Sequence, residues 1–419
     1  YAATGFDFGL NSEMLLKNPY SPCGILMSRH LRIALVFKTR LEENAKILNG
    51  ISTFNRFHEK WHAFVDDQAV AQNDPDWLLS KSKWDGIICK HSAGELYTEC
   101  LRLGIPCVDL SDDPKVYEGI PKIRPDNSAI GNIGAEHLME RGLRYFGFCS
   151  FSNEDWAIER RDGFIEALKL TNHTCEYFEN AYPKVSNPHW DEGEEELIGE
   201  WLENLPKPIG IMACNDMRAL QVIHACRNRD IQIPDEVAVL GANNDIVRCE
   251  LSLPQLSSIP VNAEYYGQKA AKVITDMIHG IQPEQKVEYI DPLDVVTRRS
   301  TDFLKIDDPH VTQALMIIKE RACKGVSVDE IVEEIHVSRS LLERRFRKFL
   351  GKSPQAEIRN VQINRIKGLL RETDYTLANI AELTGFEHPE YMCVVFKKST
   401  SLTPNQYRIK VQGTVEDKS

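Results

Sequence analysis

The C-terminal quarter of the chain contains the same pattern of apolar residues twice. The first copy consists of Val328, Ile331, Val332, Val337, Leu341, Phe346 and a closing Pro354. The second copy consists of Leu377, Ile380, Ala381, Phe386, Tyr391, Phe396 and a closing Pro404. The offset between the copies grows from 49 residues at Ile331 to 50 at Phe346, so the second copy has one extra residue between its helices. The repeat predicts two units of a short helix, a tight turn and a second helix, the arrangement that delivers a helix to the major groove of DNA.

The charge of the chain is unevenly distributed. Its 419 residues, enough for two or three domains, carry a net charge of −12. Residues 305–411 contain 18 Lys and Arg against 14 Asp and Glu, a net charge of +4, whereas residues 1–304 carry −15. A basic module attached to an acidic body is typical of a DNA-binding regulator with a separate sensor.

Several other classes of protein are disfavoured. No apolar run approaches the roughly 18 residues of a membrane span, and no segment has the pattern of a signal peptide. The 11 cysteines show neither CxxC nor Cys/His ligand spacing, so we expect reduced thiols in a cytoplasmic protein, without metal or membrane. P-loop, GxSxG, HExxH and strand-following GxGxxG motifs are absent, so we expect no catalytic residues, no cofactor and no enzyme activity. A sugar-processing enzyme with a DNA-binding tail is the alternative that a turnover assay would detect.

Residues 31–300 alternate between short apolar runs and amphipathic stretches. We predict strands at 32–37, 61–65, 86–89, 106–109, 145–149, 175–178, 208–213, 237–241 and 286–290. We predict helices at 42–57, 75–82, 94–103, 128–141, 157–170, 192–204, 216–229 and 263–279. This alternation is typical of parallel sheets with helices on both faces. Nine strands exceed one compact doubly wound domain, so we expect an α/β bilobal sensor with two such sheets and a ligand cleft outside the carboxyl ends of the strands.

The sequence also suggests boundaries. We expect an N-terminal extension at 1–30, a sensor at 31–300, a linker at 301–309, an all-α DNA-binding domain at 310–411 and a tail at 412–419. The extension is interpreted as mobile or as an upstream misread of the start site, with a docked arm as the alternative. Asp307 or Asp308 can cap the first helix of the DNA-binding domain, with Pro309 in its first turn.

The first recognition helix is predicted to begin at Ser338, a good N-cap residue. Leu341, Leu342 and Phe346 can face the core. Five cationic residues within ten positions suit contacts with phosphates, and arginine near the start of the helix suits guanine edges. The alternative is a solvated basic helix. The candidate DNA contacts are Ser338, Arg339, Ser340, Arg344 and Arg347.

The second recognition helix is predicted from about His388 to Ser399. It is less cationic at its start, although glutamate can accept a hydrogen bond from cytosine, so we expect weaker and less selective binding. His388 is interpreted either as a DNA contact or as a capping or solvent residue. The candidate DNA contacts are His388, Glu390, Lys397 and Lys398.

Residues 308–410 closely resemble the AraC/XylS family of transcription regulators. The matching residues are Val337-Ser338-Arg339-Ser340-x-Leu342 with Arg345-Phe346, Gly351-x-Ser353-Pro354, Ile380-Ala381-x-Leu383-x-Gly385-Phe386, and Phe396-Lys397-Lys398 through Thr403-Pro404-x-x-Tyr407-Arg408. The resemblance implies a long helix between the units, which residues 354–371 can supply. It also implies two successive major-groove contacts about one turn apart on one face of the DNA.

The body resembles the sugar-sensing domain of LacI-type repressors, which has the fold of periplasmic sugar-binding proteins. The matching residues are Asp126-Asn127, Arg141-Gly142 before strand 145–149, Trp156 to Arg160-x-x-Gly163-Phe164, Asn215-Asp216-x-x-Ala219, Ile233-Pro234-x-x-Val237, and Gly241 followed by Asn243. A LacI-like sensor followed by an AraC-type module resembles the family of enterobacterial xylose operon regulators. That similarity extends from about residue 31 to residue 410.

A sugar site needs planar polar side chains for hydroxyl groups and an aromatic face for the C–H side of the ring. The candidate ligand-binding residues are Trp156, Arg160, Asn215, Asp216 and Asn243. Each has an alternative role: Asp216 as the cap of the next helix, Trp156 as core and Arg160 as a surface ion pair. The family usually has Asp where this chain has Asn243, so the hydrogen-bonding pattern of the pocket is changed and xylose itself is in question.

The resemblance implies a transcription activator of a pentose operon. Its expected partners are promoter DNA, a small sugar effector such as xylose or a similar pentose, RNA polymerase and a second copy in a homodimer. Sugar would close the two lobes and reposition the DNA-binding modules. A repressor with the same parts, responding to a different small ligand, is the alternative, because the direction of regulation depends on where the operator lies.

Overall fold

The computed structural model describes residues 30–39, 42–58, 60–80, 82–91, 93–182, 190–302, 308–373 and 375–412. The predicted N-terminal extension, apart from His30, and the tail from residue 413 onward lie outside the described residues, as does the linker segment 303–307. The described residues from Leu31 onward belong to one compact unit.

The elements follow the predicted alternation of strands and helices. The strands are β1 (Arg32–Val36), β2 (His62–Asp66), β3 (Gly86–Cys89), β4 (Cys107–Asp109), β5 (Lys122–Pro125), β6 (Tyr145–Phe151), β7 (Cys175–Asn180), β8 (Ile209–Ala213), β9 (Val237–Ala242), β10 (Ser257–Ile259) and β11 (Val287–Ile290). The helices before the DNA-binding domain are α1 (Glu42–Phe57), α2 (Pro75–Leu79), α3 (Gly94–Leu103), α4 (Asn127–Met139), α5 (Asp155–Leu170), α6 (Trp190–Glu203), α7 (Asp216–Asn228), α8 (Ile246–Leu251) and α9 (Ala263–Ile278).

The strands form two parallel sheets, which confirms the predicted bilobal α/β architecture. In the described part of the chain, the first lobe has a six-stranded sheet in the order β11-β5-β4-β3-β1-β2. The second lobe has a five-stranded sheet in the order β10-β9-β8-β6-β7. Strands such as β3 and β9 are buried along their whole length, because helices cover both faces of each sheet.

Two strands and one helix escaped the sequence prediction. β5 carries Lys122, and its Nζ lies 2.7 Å from Oδ2 of Asp109, with both side chains 1% exposed. β10 carries Ser257 and Ser258, whose hydroxyls are hydrogen-bonded to other groups. These polar residues do not resemble strand residues in sequence, but their tertiary partners allow them to be buried. The helix α8 has only six residues.

Three segments cross between the lobes in the described residues: 125–127, 260–262 and 291–296. They are joined by backbone hydrogen bonds. Asp126 N donates to O of Ile290, the last residue of β11 just before the third segment, at 2.9 Å, and Leu293 N donates to Pro260 O at 3.0 Å. A movement of one lobe against the other therefore acts on all three segments together. The last of them, residues 291–296, is called the third crossover below.

The DNA-binding domain is all-α, as predicted. Its helices are α10 (Pro309–Arg321), α11 (Val328–Glu334), α12 (Arg339–Leu350), α13 (Pro354–Glu372), α14 (Leu377–Leu383), α15 (Pro389–Thr400) and α16 (Pro404–Gln412). The first helix-turn-helix unit is α11–α12, the second is α14–α15, and α13 joins them. α10 and the first unit share one hydrophobic cluster, whereas α16 and the second unit share another.

Local capping signals in the sequence locate the helix starts. Asp308 caps α10, its carboxylate accepting from the backbone of His310 and Val311. Ser338 accepts from Leu341 N at the start of α12, as predicted. Leu342 and Phe346 are fully buried in the first unit, whereas Leu341 is only half-buried.

The second unit closely approaches the segment between α10 and α11, next to a buried glutamine. Gln362 on α13 is 2% exposed, and its Nε2 donates to Ala322 O at 3.0 Å and to Thr384 O at 2.9 Å. A Cβ on Gly385 would lie 2.7 Å from Gly325 N and 3.0 Å from Ala322 O. Gly385 also has φ +74°, so both its conformation and its surroundings require glycine.

The described helices include none that is long and apolar enough to span a membrane.

Candidate functional site

A cavity of about 390 Å³ lies at the carboxyl ends of several strands. Its walls come from the residues that follow β1, β3, β4 and β6, so both lobes contribute. This is where parallel α/β sheets bind ligands, and the volume suits a small molecule. The lining residues are Glu43, Asn44, Lys90, His91, Ser111, Asp112, Asp113, Asn153, Glu154, Asp155 and Trp156.

Lys90 is the buried cation of this cleft. It is 5% exposed, and its Nζ lies 2.9 Å from Oδ2 of Asp112 and 3.8 Å from Oε1 of Glu43. Burial by itself would lower the pKa of Lys90, but Asp112 and Glu43 outweigh it and raise that pKa. For Asp112, the opposing effect of burial is overcome by Lys90, which lowers the pKa of the carboxyl group. The cleft therefore keeps a charged Lys90–Asp112 pair with oxygens that can accept hydrogen bonds from hydroxyl groups.

His91 lines the same cavity and has a buried ring nitrogen. Its Nε2 has no hydrogen-bond partner among the described residues. Burial, together with Lys38 and Lys90, lowers the pKa of His91 to about 4, so the imidazole is neutral at pH 7. A neutral imidazole has one donor and one acceptor nitrogen, which suits a hydroxyl group.

Trp156 is half-buried and lies on the cleft wall. Its Nε1 donates to Oε2 of Glu154 at 2.8 Å, and its ring packs edge-on against Phe151 at 6.3 Å. The guanidinium carbon of Arg160 lies 5.0 Å from the centre of the indole. Trp156 thus contacts the core of the second lobe and also provides an aromatic surface to the cleft.

Arg160 is 4% exposed and lies behind Trp156. Its Nη1 donates to Cys214 O at 2.7 Å and to Oδ1 of Asn243 at 3.0 Å, and its Nε donates to Oδ1 of Asn127 at 3.0 Å. Burial lowers the pKa of this guanidinium. The alternative of a surface ion pair is wrong, because the side chain points into the protein.

The neighbours of Arg160 make the ion pairs instead. Arg161 pairs with Glu179 at 2.7 Å and with Asp162 at 2.8 Å. Glu159 pairs with Arg124 at 2.6 Å. This last contact joins β5 of the first lobe to α5 of the second.

Asn215 and Asp216 hold the start of α7. The side chain of Asn215 accepts from Arg218 N at 2.9 Å and is the N-cap, so the alternative that Asp216 caps this helix is wrong. Asp216 is 2% exposed and accepts from Asp245 N at 2.7 Å and from the hydroxyl of Ser258. Burial raises the pKa of Asp216 to about 7, although the hydrogen bonds from Ser258 and Asp245 N oppose that rise.

Asn243 closes the group around Arg160. It has φ +98°, in the region where asparagine is tolerated better than most residues, and its Oδ1 accepts from Arg160. The structure therefore brings Trp156, Arg160 and Asn243 together. It places Asn215 and Asp216 in supporting hydrogen bonds nearby.

The sequence prediction missed Glu43, Lys90, His91 and Asp112. Lys90 and His91 directly follow a predicted strand at 86–89, and Asp112 comes three residues after the one at 106–109. The rule that ligands bind at the carboxyl ends of parallel strands could have identified them.

The predicted DNA-contacting residues of α12 differ in whether their side chains already bind other residues of the protein. Arg344 and Arg347 are exposed. Arg339 is also exposed, but its guanidinium lies 2.7 Å from Asp329 and 3.4 Å from Glu343. Ser338 is engaged as the N-cap, and Ser340 Oγ lies 3.4 Å from its hydroxyl. Arg344 and Arg347 are therefore the side chains of this set best placed to contact DNA.

In the second recognition helix, α15, the four candidate residues His388, Glu390, Lys397 and Lys398 are all exposed. His388 occupies the N-cap position, but its side chain makes no capping hydrogen bond. Tyr391 of the same helix packs against Arg359 of α13, whose guanidinium carbon lies 5.3 Å from the centre of its ring.

The third crossover contacts the DNA-binding domain directly. Leu293 packs against the hydrophobic cluster that includes Ile363, Phe396 and Tyr407. Oδ2 of Asp294 lies 2.7 Å from Nζ of Lys367 on α13 and 3.4 Å from the Tyr407 hydroxyl on α16. A segment that connects the two lobes is thus attached to the helix that connects the two helix-turn-helix units.

Comparison with known families agrees with this architecture. Residues 135–301 match the periplasmic binding protein-like domain family, and residues 331–410 match a helix-turn-helix domain family. The first match ends at Thr301, which is buried and bonded to His137 and Ser257 of the second lobe.

Relatives with both domains cover nearly the whole chain. The xylose operon regulatory protein of Haemophilus influenzae is 30% identical over 391 residues, which is 92% of this chain and 100% of that protein. The protein of the same name from Escherichia coli K12 is 28% identical over 393 residues, covering 91% of this chain and 98% of that protein. The solved structure of a xylose-binding transcription activator, XylR, is 26% identical with a TM-score of 0.55, covering 91% of this chain and 98% of that one.

These relatives regulate transcription and are not enzymes, which agrees with the expectation from the sequence. Their similarity extends through the sensor and the DNA-binding domain alike. The chain belongs to the family of xylose operon regulatory proteins, transcription regulators in which a periplasmic-binding-protein-like domain precedes a helix-turn-helix domain.

Proposed function

We propose that this regulator responds to a small neutral sugar, xylose or another pentose, and activates a pentose catabolic operon. The observation that carries the proposal is the cleft at the strand ends, where His91, the Lys90–Asp112 pair and Trp156 line one cavity. The names of the relatives support xylose as the first sugar to test.

The chemistry of the cleft favours a neutral sugar over a sugar acid. Five carboxylate residues line the cavity against one lysine, so a carboxylate on the ligand would be repelled. Hydroxyl groups can donate to Asp112, accept from Lys90 and do either with His91. The indole of Trp156 offers a flat apolar surface to the C–H face of the ring. The five carboxylate residues are Glu43, Asp112, Asp113, Glu154 and Asp155.

The predicted ligand-binding residues have two roles in this proposal. Trp156, Arg160 and Asn243 contact the sugar or hold the surface that does. Asn215 and Asp216 fix the loops behind them through the bonds to Arg218 N and Asp245 N. Asn243 in place of the usual Asp supplies a donor as well as an acceptor, so the sugar preference of this chain can differ from that of its relatives.

Closure of the lobes around the sugar would act on DNA binding through the third crossover. Leu293 and Asp294 move with the lobes and contact α13 and α16. If sugar binding changes the affinity of the protein for DNA by some factor, DNA binding must change the affinity for sugar by the same factor. We propose that the regulator acts in the cytoplasm as a homodimer on promoter DNA, with RNA polymerase as its further partner.

A thermal-shift panel tests the sugar site. Wild-type protein is mixed with D-xylose, L-arabinose, D-ribose, D-glucose and D-xylonate. A sugar at 100 times its Kd adds about 2.7 kcal/mol of stability, so we expect a clear shift with at least one pentose and none with xylonate. His91→Ala should weaken binding, whereas His224→Ala, at an exposed histidine paired with Glu195, should not. The proposal is contradicted if xylonate alone raises the melting temperature, or if none of the five compounds raises it.

A reporter assay tests the direction of regulation. The promoter region upstream of a pentose operon is placed before a reporter gene, and expression is measured with and without D-xylose and with and without the regulator. Activation requires that loss of the regulator lowers the induced level. Higher expression without the regulator would instead identify a repressor.

A further inference from the structure

The two recognition helices can be aligned residue by residue. Leu342 and Phe346 of α12 are fully buried, and so are Met392 and Phe396 of α15, at an offset of 50. The same offset pairs Arg347 with Lys397 and Lys348 with Lys398, which are all exposed. The two helices can therefore be compared position by position, and these two exposed pairs are cationic in both helices.

Two equivalent pairs set arginine against valine, Arg344 with Val394 and Arg345 with Val395, and of these only the first pair is exposed in both helices. The offset of 50 pairs Arg344 with Val394. Each lies midway between the two buried residues of its helix, two positions from either one. Two positions correspond to a rotation of about 200° around the helix axis, so each side chain points away from the domain core. Arg344 is exposed, and Val394 is 65% exposed.

Both side chains are available for an external partner. No described residue forms an ion pair with Arg344, in contrast to Arg339, which pairs with Asp329, and Arg345, which pairs with Asp308. Val394 is a branched apolar residue on an exposed helix face, where polar residues are the ordinary choice. The core of its own domain does not cover it.

These chemistries match different bases. An arginine guanidinium can donate two hydrogen bonds to O6 and N7 of guanine, whereas a small apolar side chain contacts the 5-methyl group of thymine. The cations shared by both helices suit phosphates, which position the protein without selecting sequence. At this pair, therefore, the difference between the two units concerns the recognition of bases.

We infer that Arg344 and Val394 give the two units different base preferences, guanine for the first and thymine for the second, at equivalent positions of two successive groove sites. The inference rests on the proposed DNA-binding function. It implies that one chain recognises an asymmetric element, although its two units are copies of each other.

Selection from random DNA tests this inference. Purified full-length protein, with 10 mM D-xylose present in one arm, selects from a duplex library, and the bound DNA is sequenced. We expect two conserved blocks about one turn apart, with guanine at one position of one block and thymine at the equivalent position of the other. Arg344→Val should lower the preference for that guanine by about 10- to 100-fold. Val394→Arg should replace the thymine by guanine and leave the first block unchanged.

Removal of a single methyl group tests Val394 more narrowly. The selected duplex is remade with uracil in place of the one thymine. We expect wild-type affinity to fall by about fourfold, as for one buried methyl group. Val394→Ala should bind both duplexes with equal affinity. Val247→Ala, at a valine that is 64% exposed on α8, is the matched control and should behave as wild type.

The outcomes separate this inference from the function it rests on. If wild-type protein enriches no sequence, the proposed DNA-binding function fails. If it enriches a sequence that neither Arg344→Val nor Val394→Arg changes, the function stands and the inference is overturned. Thermal unfolding of each variant, expected to match wild type because both positions are exposed, excludes misfolding as the cause.

Discussion

The ammonium group of Lys367 lies 2.7 Å from a carboxylate oxygen of Asp294. Lys367 belongs to the long helix α13, which joins the two helix-turn-helix units, and Asp294 belongs to the third crossover between the lobes of the sensor. The Tyr407 hydroxyl contacts the same oxygen at 3.4 Å. This one carboxylate therefore connects a hinge of the sensor with two helices of the DNA-binding domain.

Lys367→Met should weaken the coupling between sugar and DNA. The coupling free energy between two such sites is typically about 1–3 kcal/mol. We expect the variant to lose only part of it, because the contact of Leu293 with the cluster that contains Tyr407 remains. The measurement is the Kd for operator DNA with and without saturating D-xylose. Lys272→Met removes an exposed ion pair with Asp276 in the sensor and is the control. Equal coupling in Lys367→Met and wild type would show that the signal takes another route.

Arg160→Met should abolish sugar binding and lower stability. The substitution leaves the oxygens of Cys214, Asn127 and Asn243 without their donor, so we expect a loss of about 2 kcal/mol or more in the free energy of unfolding. The measurements are urea unfolding and titration with D-xylose by calorimetry. Arg161→Met removes the same charge from the neighbouring position, where the ion pairs are partly exposed, and should cost about 0–1 kcal/mol. Normal sugar binding by Arg160→Met would contradict the site.

The stability of Asp216→Asn relative to wild type should increase as the pH rises. Because the folded pKa of about 7 lies above the ordinary value of 3.8 for this carboxyl group, the folded state binds this proton more tightly than the unfolded state. Its contribution to stability is complete below about pH 4 and is lost as the pH rises through 7. Asparagine does not titrate, so the difference in unfolding free energy between variant and wild type should grow over this range, by at most on the order of 4 kcal/mol.

Urea unfolding at pH 5, 6, 7 and 8 measures this difference. Asp276→Asn, at a partly exposed carboxylate that pairs with Lys272, is the control for the same change of residue type. A difference for Asp216→Asn that is constant between pH 5 and 8 would show that this carboxyl group is ionised throughout.

Gly385→Ala should destabilise the DNA-binding domain more than Gly351→Ala. Both glycines have positive φ, at +74° and +68°, so alanine is strained by about 1 kcal/mol at either position. A Cβ at Gly385 would also overlap Gly325 N, whereas a Cβ at Gly351 meets nothing within 4 Å. Thermal unfolding and DNA binding of both variants measure the additional effect. Equal melting temperatures would mean that the second unit and the segment between α10 and α11 separate at this contact without cost.

Much of the DNA-binding domain could be predicted because its signals are local. Ser338 and Asp308 cap helices through bonds to residues two or three positions away, and the apolar period shows which face is buried. The sensor strands were predicted in the same way wherever the strand was apolar. β5 and β10 were missed because Lys122 and Ser258 are buried only with partners far away in sequence.

The cleft was predicted in part. Trp156 and Arg160 belong to a recognisable motif, and the structure places Trp156 on the cleft wall with Arg160 buried behind it. The motif does not show that Arg160 is buried, because that depends on Cys214 and Asn243, 54 and 83 residues away. Lys90 and Asp112 lie 22 residues apart, after the ends of two different strands, and only the strand-end rule, not a local motif, points to them.

The sequence by itself determined the α/β sensor, the duplicated helix-turn-helix units and the helix starts, because periodicity and capping act over a few residues. Only the tertiary structure decided which charged groups share the cleft and which arginines of α12 are free. It also decided that the third crossover contacts α13. Each of these depends on contacts between residues far apart in the chain, whose burial and pairing are set by the packing of the whole fold.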